Sequence, residues 1–313
     1  MKSNELQINS PIQELKMPLL EKRAIRLFIK RDDLIHPQIS GNKWRKLKYN
    51  ISATRKEGKD TLLTFGGAYS NHIYATAAAG KLFNFKTIGL IRGERQEVLN
   101  PTLQYAKGAG MQLHYIPRVI YKQRKNPIFL KELGQQFGSF FLIPEGGTNK
   151  YAIRGCAELV DEVEQQLGFL PDYWSAACGT GGTLSGIIAG LQGRKKVIGF
   201  SVLKGNFHQQ EVQTLLEHYQ SQNNTLTNWS IQTAYHFGGY AKFKPALIQF
   251  INQFHYENNI ALDPIYTGKL FFGIFDLIEK GTFGKDTSIL VVHSGGLQGI
   301  EGFNQRFGNL IDV

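Results

Sequence analysis

The stretch YWSAACGTGGTLSG, residues 173–186, passes from an apolar strand pattern through a glycine-rich turn into the first residues of a helix. Backbone N–H groups in such a turn, with the hydroxyls of Thr180 and Thr183, can hold a phosphate against the positive end of the helix dipole. The turn lacks the ending of a Walker A loop, and leucine at position 184 breaks the dinucleotide-binding fingerprint. A phosphate monoester on a small molecule therefore fits this turn better than a nucleotide does.

Apolar strand patterns of this kind alternate with helical patterns along almost the whole chain. In segments between them, such as residues 154–168 and 243–259, apolar residues recur at steps of three and four. This alternation predicts parallel sheets with helices on both faces, and 313 residues are enough for two such domains. The predicted class is α/β with two open, twisted parallel sheets. Seven further strands are predicted at residues 61–67, 86–93, 111–117, 139–147, 195–203, 229–235 and 288–296.

Glycine marks the ends of several predicted strands. The chain has 34 glycines in 313 residues, above the ~7% average, and many of them lie where a strand passes into a helix. Ligands of open parallel sheets bind at the carboxyl ends of strands. Any one of these turns could be an ordinary tight turn, but four at the same edge indicate backbone that approaches a ligand closely. They lie at residues 66–67, 146–147, 179–182 and 295–296.

The composition excludes several classes of protein. Lysine and arginine total 36 against 25 aspartates and glutamates, a net charge of +11, but the positive residues are scattered and match no nucleic-acid-binding motif. No stretch approaches the ~18 apolar residues of a membrane span, and the first residues carry no secretory signal. Cys156 and Cys178 lie outside any metal-binding spacing. We therefore expect a cytoplasmic protein that binds neither nucleic acid nor membrane nor metal.

The stretch SGNKWRKLKYN, residues 40–50, predicts a helix that begins with an unusual charge. Ser40 or Asn42 can cap it, and apolar residues recur at helical spacing. The stretch could be a solvated basic face or a phosphate site. Alternatively, desolvation and neighbouring cations lower the pKa of one lysine, whose neutral amine then serves as a nucleophile. Its first two turns carry four cations, which the positive end of a helix dipole disfavours: Lys43, Arg45, Lys46 and Lys48.

The stretch GGAYSNH, residues 66–72, places three polar side chains at another predicted strand-to-helix turn. Ser70, Asn71 and His72 could bind a substrate carboxylate. Plain helix capping by Ser70 or Asn71 explains the same residues equally well, and His72 taken alone is typical of a structural histidine. A reactive lysine, a phosphate-binding turn and a carboxylate-binding turn together match the needs of pyridoxal phosphate, which forms a Schiff base with an amine.

The series of motifs resembles the 1-aminocyclopropane-1-carboxylate (ACC) deaminase/D-cysteine desulfhydrase family, within the tryptophan synthase β-like (fold type II) pyridoxal phosphate enzymes. The similarity extends over nearly the whole chain, so it is far more specific than any single motif. The resemblance implies the tryptophan synthase β-like architecture, with pyridoxal phosphate as the cofactor and a small amino acid as the substrate. The matching segments, in family order, are IKRDDL, SGNKWRKLKY, GGAYSNH, PEGGTNKYAIRG, GTGGTLSG, LDPIYTGK and HSGG.

The resemblance also implies roles for individual residues. Lys43, the lysine of the GNK triplet, is expected to carry the Schiff base and to move the substrate proton. Tyr266 is expected near the substrate amine and the reacting carbon. Ser70, with the turn at Asn71 and His72, is expected to bind the substrate carboxylate, and Asn71 also the ring oxygen of the cofactor. The phosphate is expected in a cradle formed by Gly179, Thr180, Gly181, Gly182 and Thr183.

Two positions favour one activity of the family over the other. The cyclopropane deaminases carry a glutamate directly after the tyrosine, facing the pyridine nitrogen, whereas this chain has Thr267. Ser294 of the HSGG segment resembles the hydroxyl residue of desulfhydrase-like members, which can bond a neutral pyridine nitrogen but cannot hold a proton on it. We therefore expect β-elimination from D-cysteine to pyruvate, ammonia and sulfide. ACC deamination and a non-catalytic pyridoxal phosphate-binding protein are the alternatives.

The family resemblance further implies a two-domain homodimer. A large cofactor-binding domain is predicted from residues 1–57 and 161–313, and a small α/β domain from residues 58–160. Closure of the cleft between the domains on the substrate would exclude water from the reaction.

Overall fold

The computed structural model describes residues 10–95, 97–219 and 226–312, which contain ten strands and twelve helices. The strands are β1 Ile12–Leu15, β2 Ile25–Lys30, β3 Thr61–Gly67, β4 Lys86–Arg92, β5 Met111–Ile116, β6 Phe141–Ile143, β7 Tyr173–Cys178, β8 Lys196–Ser201, β9 Trp229–Gln232 and β10 Thr287–Val292. The helices are α1 Pro18–Arg23, α2 Asn42–Lys56, α3 Asn71–Phe83, α4 Pro101–Gly108, α5 Arg118–Tyr121, α6 Pro127–Phe137, α7 Lys150–Leu167, α8 Gly182–Leu191, α9 Phe207–Tyr219, α10 Pro245–Asn258, α11 Thr267–Glu279 and α12 Gly299–Phe307.

The strands form two sheets, which confirms the predicted α/β class. The large sheet has the order β1-β2-β10-β7-β8-β9, and the small sheet has the order β5-β4-β3-β6. Among the described strands only β1 and β2 pair in antiparallel fashion. Each of the eight segments predicted as strands contains a strand. No helix within the described ranges is long and apolar enough to cross a membrane.

The sequence patterns do not predict β1 and β2, at one edge of the large sheet. β2 ends in Lys30, which is fully buried although it carries a charge. Its ammonium donates to the carbonyl of Ser10 and lies 3.4 Å from the Glu162 carboxylate. Because these partners are remote in sequence, nothing local shows that a cation can end a buried strand here. The short β1 is antiparallel and lies outside the strand–helix alternation.

Helices α2 and α7 pack between the elements of the two sheets. Trp44 of α2 stacks on Phe83 of α3 at 5.6 Å between ring centroids, in a core cluster shared with β3 and β6. On its other side α2 packs against α7, and α7 packs against α8. A Cβ on Gly155 would lie 2.0 Å from the carbonyl oxygen of Arg45, so glycine permits this close helix contact. The predicted boundary at residue 57 separates α2 from a sheet that it contacts, and it stays a prediction.

The start of α2 differs from the predicted capping. The N-cap is Gly41, without a side-chain cap, whereas the Ser40 hydroxyl donates to the carbonyl of Asp33 and the Asn42 amide donates to Thr183. The prediction that Ser40 or Asn42 caps this helix was therefore wrong. Gly41 has φ +65°, and a Cβ there would lie 1.8 Å from the carbonyl oxygen of Ser294. The close approach of two backbones, rather than a side-chain cap, sets the first residue of α2.

A buried arginine, Arg45, anchors helix α2 to neighbouring elements. The Arg45 guanidinium is fully buried and donates to both carboxylate oxygens of Asp32, at 2.6 and 2.7 Å. It also donates twice, at 2.8 Å, to Glu162 of α7. These charge-assisted pairs hold the guanidinium in one plane, because its donor geometry is rigid. They therefore attach α2 to the end of β2 and to α7 at once.

We predict that Arg45→Met strongly destabilises the fold. Removing the guanidinium leaves the buried Asp32 carboxylate without its counter-charge, and breaking such a pair costs about 3–5 kcal/mol. Chemical denaturation of the apoprotein should show a lower free energy of unfolding. The matched control is Lys56→Met, which removes an exposed cation from the last turn of the same helix. Equal denaturation midpoints for the two variants would contradict the role of the Arg45 pairs.

Candidate active site

A cleft lies where the carboxyl ends of strands from both sheets approach each other. Its walls come from the segments after β3, β6, β7 and β10, from the start of α2 and from the residue before α11. It contains about 590 Å³ of empty space, counted out to its open mouth. Of the four glycine turns expected at this edge, those after β6, β7 and β10 contribute lining residues.

The cleft brings together every residue that the sequence analysis assigned to a site. These residues lie far apart in the chain and meet only because the two sheets present the same edge. None of the lining residues in the described part of the chain is an aspartate or a glutamate. The predicted residues in the lining are Lys43, Ser70, Asn71, His72, Gly179, Thr180, Gly181, Gly182, Thr183, Tyr266 and Ser294.

Lys43 has the properties expected of a reactive amine. Burial, together with the charge of Lys46, lowers the pKa of Lys43 to about 7. Its amine donates to the side-chain oxygen of Asn42 at 2.9 Å, and the Asn42 amide donates to the Thr183 hydroxyl at 2.8 Å. A hydrogen-bonded chain therefore connects the amine to the glycine-rich turn. The interpretation of this basic stretch as the surroundings of one nearly neutral lysine agrees with this geometry.

Lys46 is a cleft residue that the sequence analysis treated only as a neighbour of Lys43. Its buried ammonium donates to the carbonyl of Gly146 at 3.0 Å and to the Thr148 hydroxyl at 3.2 Å, and lies 3.5 Å from the Thr180 hydroxyl. Burial lowers the pKa of Lys46. Within the described part of the chain its hydrogen-bond partners are neutral oxygens, so its charge is available to an anion that binds beside it. Its spacing of three residues from Lys43, which is one helical turn, could have indicated this position.

The glycine-rich turn after β7 has the geometry of an anion site. Gly181 has φ +78° and precedes the first turn of α8, whose residues Gly182 and Thr183 line the cleft. The first N–H groups of a helix have no partner within the helix and can bind an anion. A Cβ on Gly181 would press on Val212 and Leu215 of α9, at 3.1 and 3.2 Å, behind the turn. A Cβ on Gly182 would lie 2.8 Å from the Thr148 hydroxyl. Glycine is therefore required here for conformation and for close backbone packing.

The turn after β3 combines helix capping with exposure to the cleft. The Ser70 hydroxyl oxygen accepts the backbone N–H groups of His72 and Ile73, so Ser70 is the N-cap of α3. This confirms the capping interpretation, while the hydroxyl proton remains available to a ligand. The His72 ring bonds the Thr64 hydroxyl at 2.8 Å through Nε2. Burial and the charges of Lys43 and Lys46 hold the pKa of His72 well below its usual range, so the ring is neutral.

Asn71 is oriented by a residue that the sequence analysis missed. Gln298 donates from its amide nitrogen to the side-chain oxygen of Asn71 at 2.6 Å. The amide nitrogen of Asn71 is therefore fixed as a donor. It lies so close to the turn after β10 that a Cβ added to Gly296 would be 2.7 Å from it. Gln298 lies just beyond the HSGG segment, and no local pattern connects it with a residue 227 positions earlier.

Thr267, which stands where the deaminases carry a glutamate, bonds within the segment before α11. Its hydroxyl donates to the buried carboxylate of Asp263 at 2.8 Å, and it is not a lining residue of the cleft. Asp263 also accepts the backbone N–H groups of Ile265, Tyr266 and Thr267. Thr267 therefore acts with Asp263 at the start of α11, behind the cleft wall. Burial raises the pKa of Asp263, although its donors oppose that shift.

Tyr266, by contrast, projects into the cleft. Its ring packs against Gly179, where a Cβ would lie 3.1 Å from the ring. A second tyrosine, Tyr240, contacts it edge to face at 6.3 Å between ring centroids, and the sequence analysis did not identify this residue. Burial raises the pKa of Tyr266 well above its ordinary value, and Tyr240 adds to the shift. The Tyr266 hydroxyl therefore stays protonated over the physiological range.

These groups fit pyridoxal phosphate. The cleft offers a nearly neutral amine in Lys43, a helix-opening glycine turn with hydroxyls and a buried cation in Lys46 for a phosphate, and a fixed amide donor in Asn71. The fold and the cleft thus define a fold type II pyridoxal phosphate enzyme.

Comparison with known proteins gives the same class. A model of the family described as pyridoxal-phosphate dependent enzymes matches residues 5–295. The chain is 30% identical over 314 residues to a putative ACC deaminase of Pyrococcus abyssi, covering 96% of this chain and 93% of that protein. It is 31% identical over 310 residues to a protein of Arabidopsis thaliana named bifunctional D-cysteine desulfhydrase/ACC deaminase, mitochondrial, covering 93% of this chain and 77% of that protein.

A solved structure agrees along nearly the full length. The crystal structure of an ACC deaminase homologue superposes with a TM-score of 0.85 at 28% identity, covering 98% of this chain and 95% of that one. The chain therefore belongs to the pyridoxal-phosphate dependent enzyme family, and its relatives are named ACC deaminases and D-cysteine desulfhydrases. The expected family, enzyme class and cofactor are confirmed.

We predict that Lys43 of the apoprotein reacts with an amine-acylating reagent through a transition near pH 7. The pKa of about 7 leaves half of the amine neutral there, whereas a free lysine peptide needs about pH 10.4. Mass spectrometry of the labelled peptide across pH 5–10 measures the midpoint. In Lys46→Met the midpoint should rise, because the Lys46 charge contributes to the shift. A wild-type midpoint above pH 9 would rule out the nearly neutral amine.

Proposed function

We propose that this enzyme catalyses β-elimination and deamination of a small amino acid, with D-cysteine as substrate and pyruvate, ammonia and sulfide as products. The observation that carries the proposal is the absence of a carboxylate among the cleft-lining residues of the described chain, where Ser294 supplies a hydroxyl. A hydroxyl can bond a neutral ring nitrogen but cannot hold a proton on it. The resulting weaker electron sink suffices when a good leaving group such as thiolate departs.

Each of these cleft residues has a proposed role in binding the cofactor or the substrate. Lys43 supplies the amine that attaches the cofactor, and the turn from Gly179 to Thr183, with Lys46, holds its phosphate. Asn71 bonds the ring oxygen, because Gln298 fixes its amide nitrogen as a donor. Ser294 bonds the ring nitrogen from the end of β10. The Ser70 hydroxyl binds the substrate carboxylate, and the N-terminal end of α3 supports that charge.

The proton transfers follow from the pKa values. Bound pyridoxal phosphate withdraws electrons from the α-carbon of the substrate. Lys43, with a pKa near 7, can remove the α-proton and return a proton later, because both of its protonation states are populated at neutral pH. Tyr266 remains protonated and can donate to the departing sulfur, but it cannot serve as a base there. Loss of the thiolate and addition of water then give pyruvate, ammonia and sulfide.

Two other functions remain candidates. ACC deamination is favoured by the names of relatives, since the Pyrococcus abyssi protein is named a putative ACC deaminase and the Arabidopsis thaliana protein carries both names. A protein that only binds the cofactor would need an amine but no proton carrier. The lowered pKa of Lys43 and the protonated Tyr266 at the same cleft support catalysis over simple binding.

We also propose the setting in which the enzyme works. A cytoplasmic homodimer that binds a small amino acid, and neither nucleic acid nor membrane, follows from the family resemblance and the dispersed charge. A small domain at residues 58–160 is supported by the small sheet, whose strands β3 to β6 all lie within that range. Light scattering during gel filtration would measure the mass of the assembly and would show 35.2 kDa for a monomer.

For the substrate, we predict sulfide release from D-cysteine and little or no ammonia or 2-oxobutanoate from ACC. Thiolate departure removes the negative charge from the α-carbon, whereas opening a cyclopropane ring has no such leaving group. Steady-state assays of both substrates on one preparation decide between them, with L-cysteine as the stereochemical comparison. Faster turnover of ACC would overturn the argument from Ser294 and would promote the deaminase alternative.

Thr267→Glu should not create a deaminase. The new carboxylate would lie beside the buried Asp263, because Thr267 points away from the cleft and bonds that residue. We expect loss of stability from two adjacent buried carboxylates, with no gain of ACC turnover. Thermal unfolding and the ACC assay test this together, and Thr267→Ser, which keeps the hydroxyl, is the control. A stable Thr267→Glu variant that turns over ACC would show that this side chain reaches the cofactor ring.

For the covalent attachment, we predict that borohydride traps the cofactor on wild-type protein and not on Lys43→Ala. Lys46→Ala should still be trapped at saturating cofactor, because its amine contacts the proposed phosphate site rather than the aldehyde. It should need more cofactor to saturate, since it loses a cation beside that site. Trapping that persists in Lys43→Ala would assign the attachment to another lysine.

A further inference from the structure

A buried histidine contacts the phosphate turn from behind. His208 is the second residue of α9, is almost completely buried, and is not a lining residue of the cleft. Its ring nitrogen Nε2 lies 3.0 Å from the carbonyl oxygen of Gly179. On the other side Nδ1 lies 3.1 Å from the Ser201 hydroxyl, which is 2.7 Å from the carbonyl of Leu203. The imidazole thus bridges the end of β8 and the first residue of the turn.

The protonation of the ring follows from these partners. A carbonyl oxygen only accepts hydrogen bonds, so Nε2 carries a hydrogen and donates to Gly179. Burial lowers the pKa of His208, while the Gly179 carbonyl and Glu211 act in the opposite direction. The Ser201 hydroxyl has one hydrogen. In the charged ring Nδ1 donates to Ser201, which donates to the carbonyl of Leu203, whereas beside the neutral ring Ser201 donates either to Nδ1 or to Leu203. The donor towards Gly179 is present in both states.

This bond fixes the direction of a peptide unit in the turn. In a planar trans peptide, the carbonyl of one residue and the N–H of the next point in opposite directions, and the described chain contains no cis peptide. With the Gly179 carbonyl held by His208 behind the turn, the N–H of Thr180 points towards the cleft. Glycine resists rotation of this unit less than any other residue. A rotated unit would present its carbonyl oxygen to the cleft and repel an anion.

We propose that His208 is a positioning residue of the phosphate site, because it holds the Gly179 carbonyl away from the cleft and keeps the Thr180 N–H directed at the cofactor phosphate. The inference rests on the proposed function, in which this turn binds that phosphate. His208 does not touch the cofactor. It acts through one peptide unit, so its effect is confined to ligands that carry the phosphate.

Two substitutions separate the two bonds of the ring. The amide nitrogen of His208→Gln can reach the position of Nε2 and keep the bond to Gly179. The shorter His208→Asn can keep only the bond of Nδ1 to Ser201. Both variants are polar and similar in size, and Gln209→Ala, at an exposed neighbour, is the surface control. Thermal unfolding of each apoprotein shows that it is folded before binding is measured.

The measurement is the dissociation constant of pyridoxal phosphate and of pyridoxal, which lacks the phosphate, by absorbance titration of the apoprotein. For His208→Asn we expect pyridoxal phosphate to bind roughly ten- to one-hundredfold more weakly than to wild type, the loss of one hydrogen bond to a charged group. Its pyridoxal affinity should be unchanged. His208→Gln and Gln209→Ala should stay within about threefold of wild type for both ligands.

The outcomes distinguish this inference from the function on which it rests. If wild-type protein binds pyridoxal as tightly as pyridoxal phosphate, the turn does not bind the phosphate, and the proposed function loses its phosphate site. A wild type that prefers pyridoxal phosphate, with the same preference retained in His208→Asn, would overturn only the role of His208. Equal losses for both ligands in His208→Asn would also overturn it, since His208 would then support the fold in general.

Discussion

The position of the reactive amine depends on the contact between two backbones, at Gly41 and at the turn formed by Ser294 and Gly295. A Cβ on Gly41 would overlap the Ser294 carbonyl, and a Cβ on Gly295 would lie 2.5 Å from the Ser40 hydroxyl. The N–H of Asn42 donates to that same carbonyl. Helix α2 therefore begins directly at the end of β10, and Lys43 in its first turn shares the cleft with Ser294. Side chains at either glycine would move the helix away.

Three cations in one helix show how partners decide what a buried charge does. Arg45 is paired with two carboxylates and serves as a structural anchor. Lys46 is surrounded by neutral oxygens, which leaves its charge available to an anion in the cleft. Lys43 donates to a neutral side-chain oxygen, and burial together with the Lys46 charge lowers its pKa to about 7. The positive end of α2 adds to the repulsion of both lysines.

Carboxylates near the cleft bond other groups of the protein and do not line the cleft. Asp263 is used by the backbone before α11 and by Thr267, and Asp32 and Glu162 are used by Arg45. The described cleft wall consequently presents hydroxyl, amide and amine groups together with bare backbone. Such a wall favours an anionic ligand, and the lack of a carboxylate among its described lining residues is the basis of the elimination proposed above.

The sequence by itself determined the α/β class, eight of the ten described strands and the glycine turns, because apolar periodicity and strand-end glycines are local signals. The resemblance of its motifs to a known family added Tyr266 and Ser294 to the residues expected at the site, and both line the cleft. Only the tertiary structure decided what those signals could not contain. Several features depend on partners that come into contact only when the chain folds. They are the burial of Lys30 at the end of β2, the start of α2 at Gly41, the bond of Thr267 to Asp263, and the contacts of Lys46, His208 and Gln298. Burial and hydrogen bonding of such groups are properties of the packed molecule, since the same side chains in an extended chain would face water.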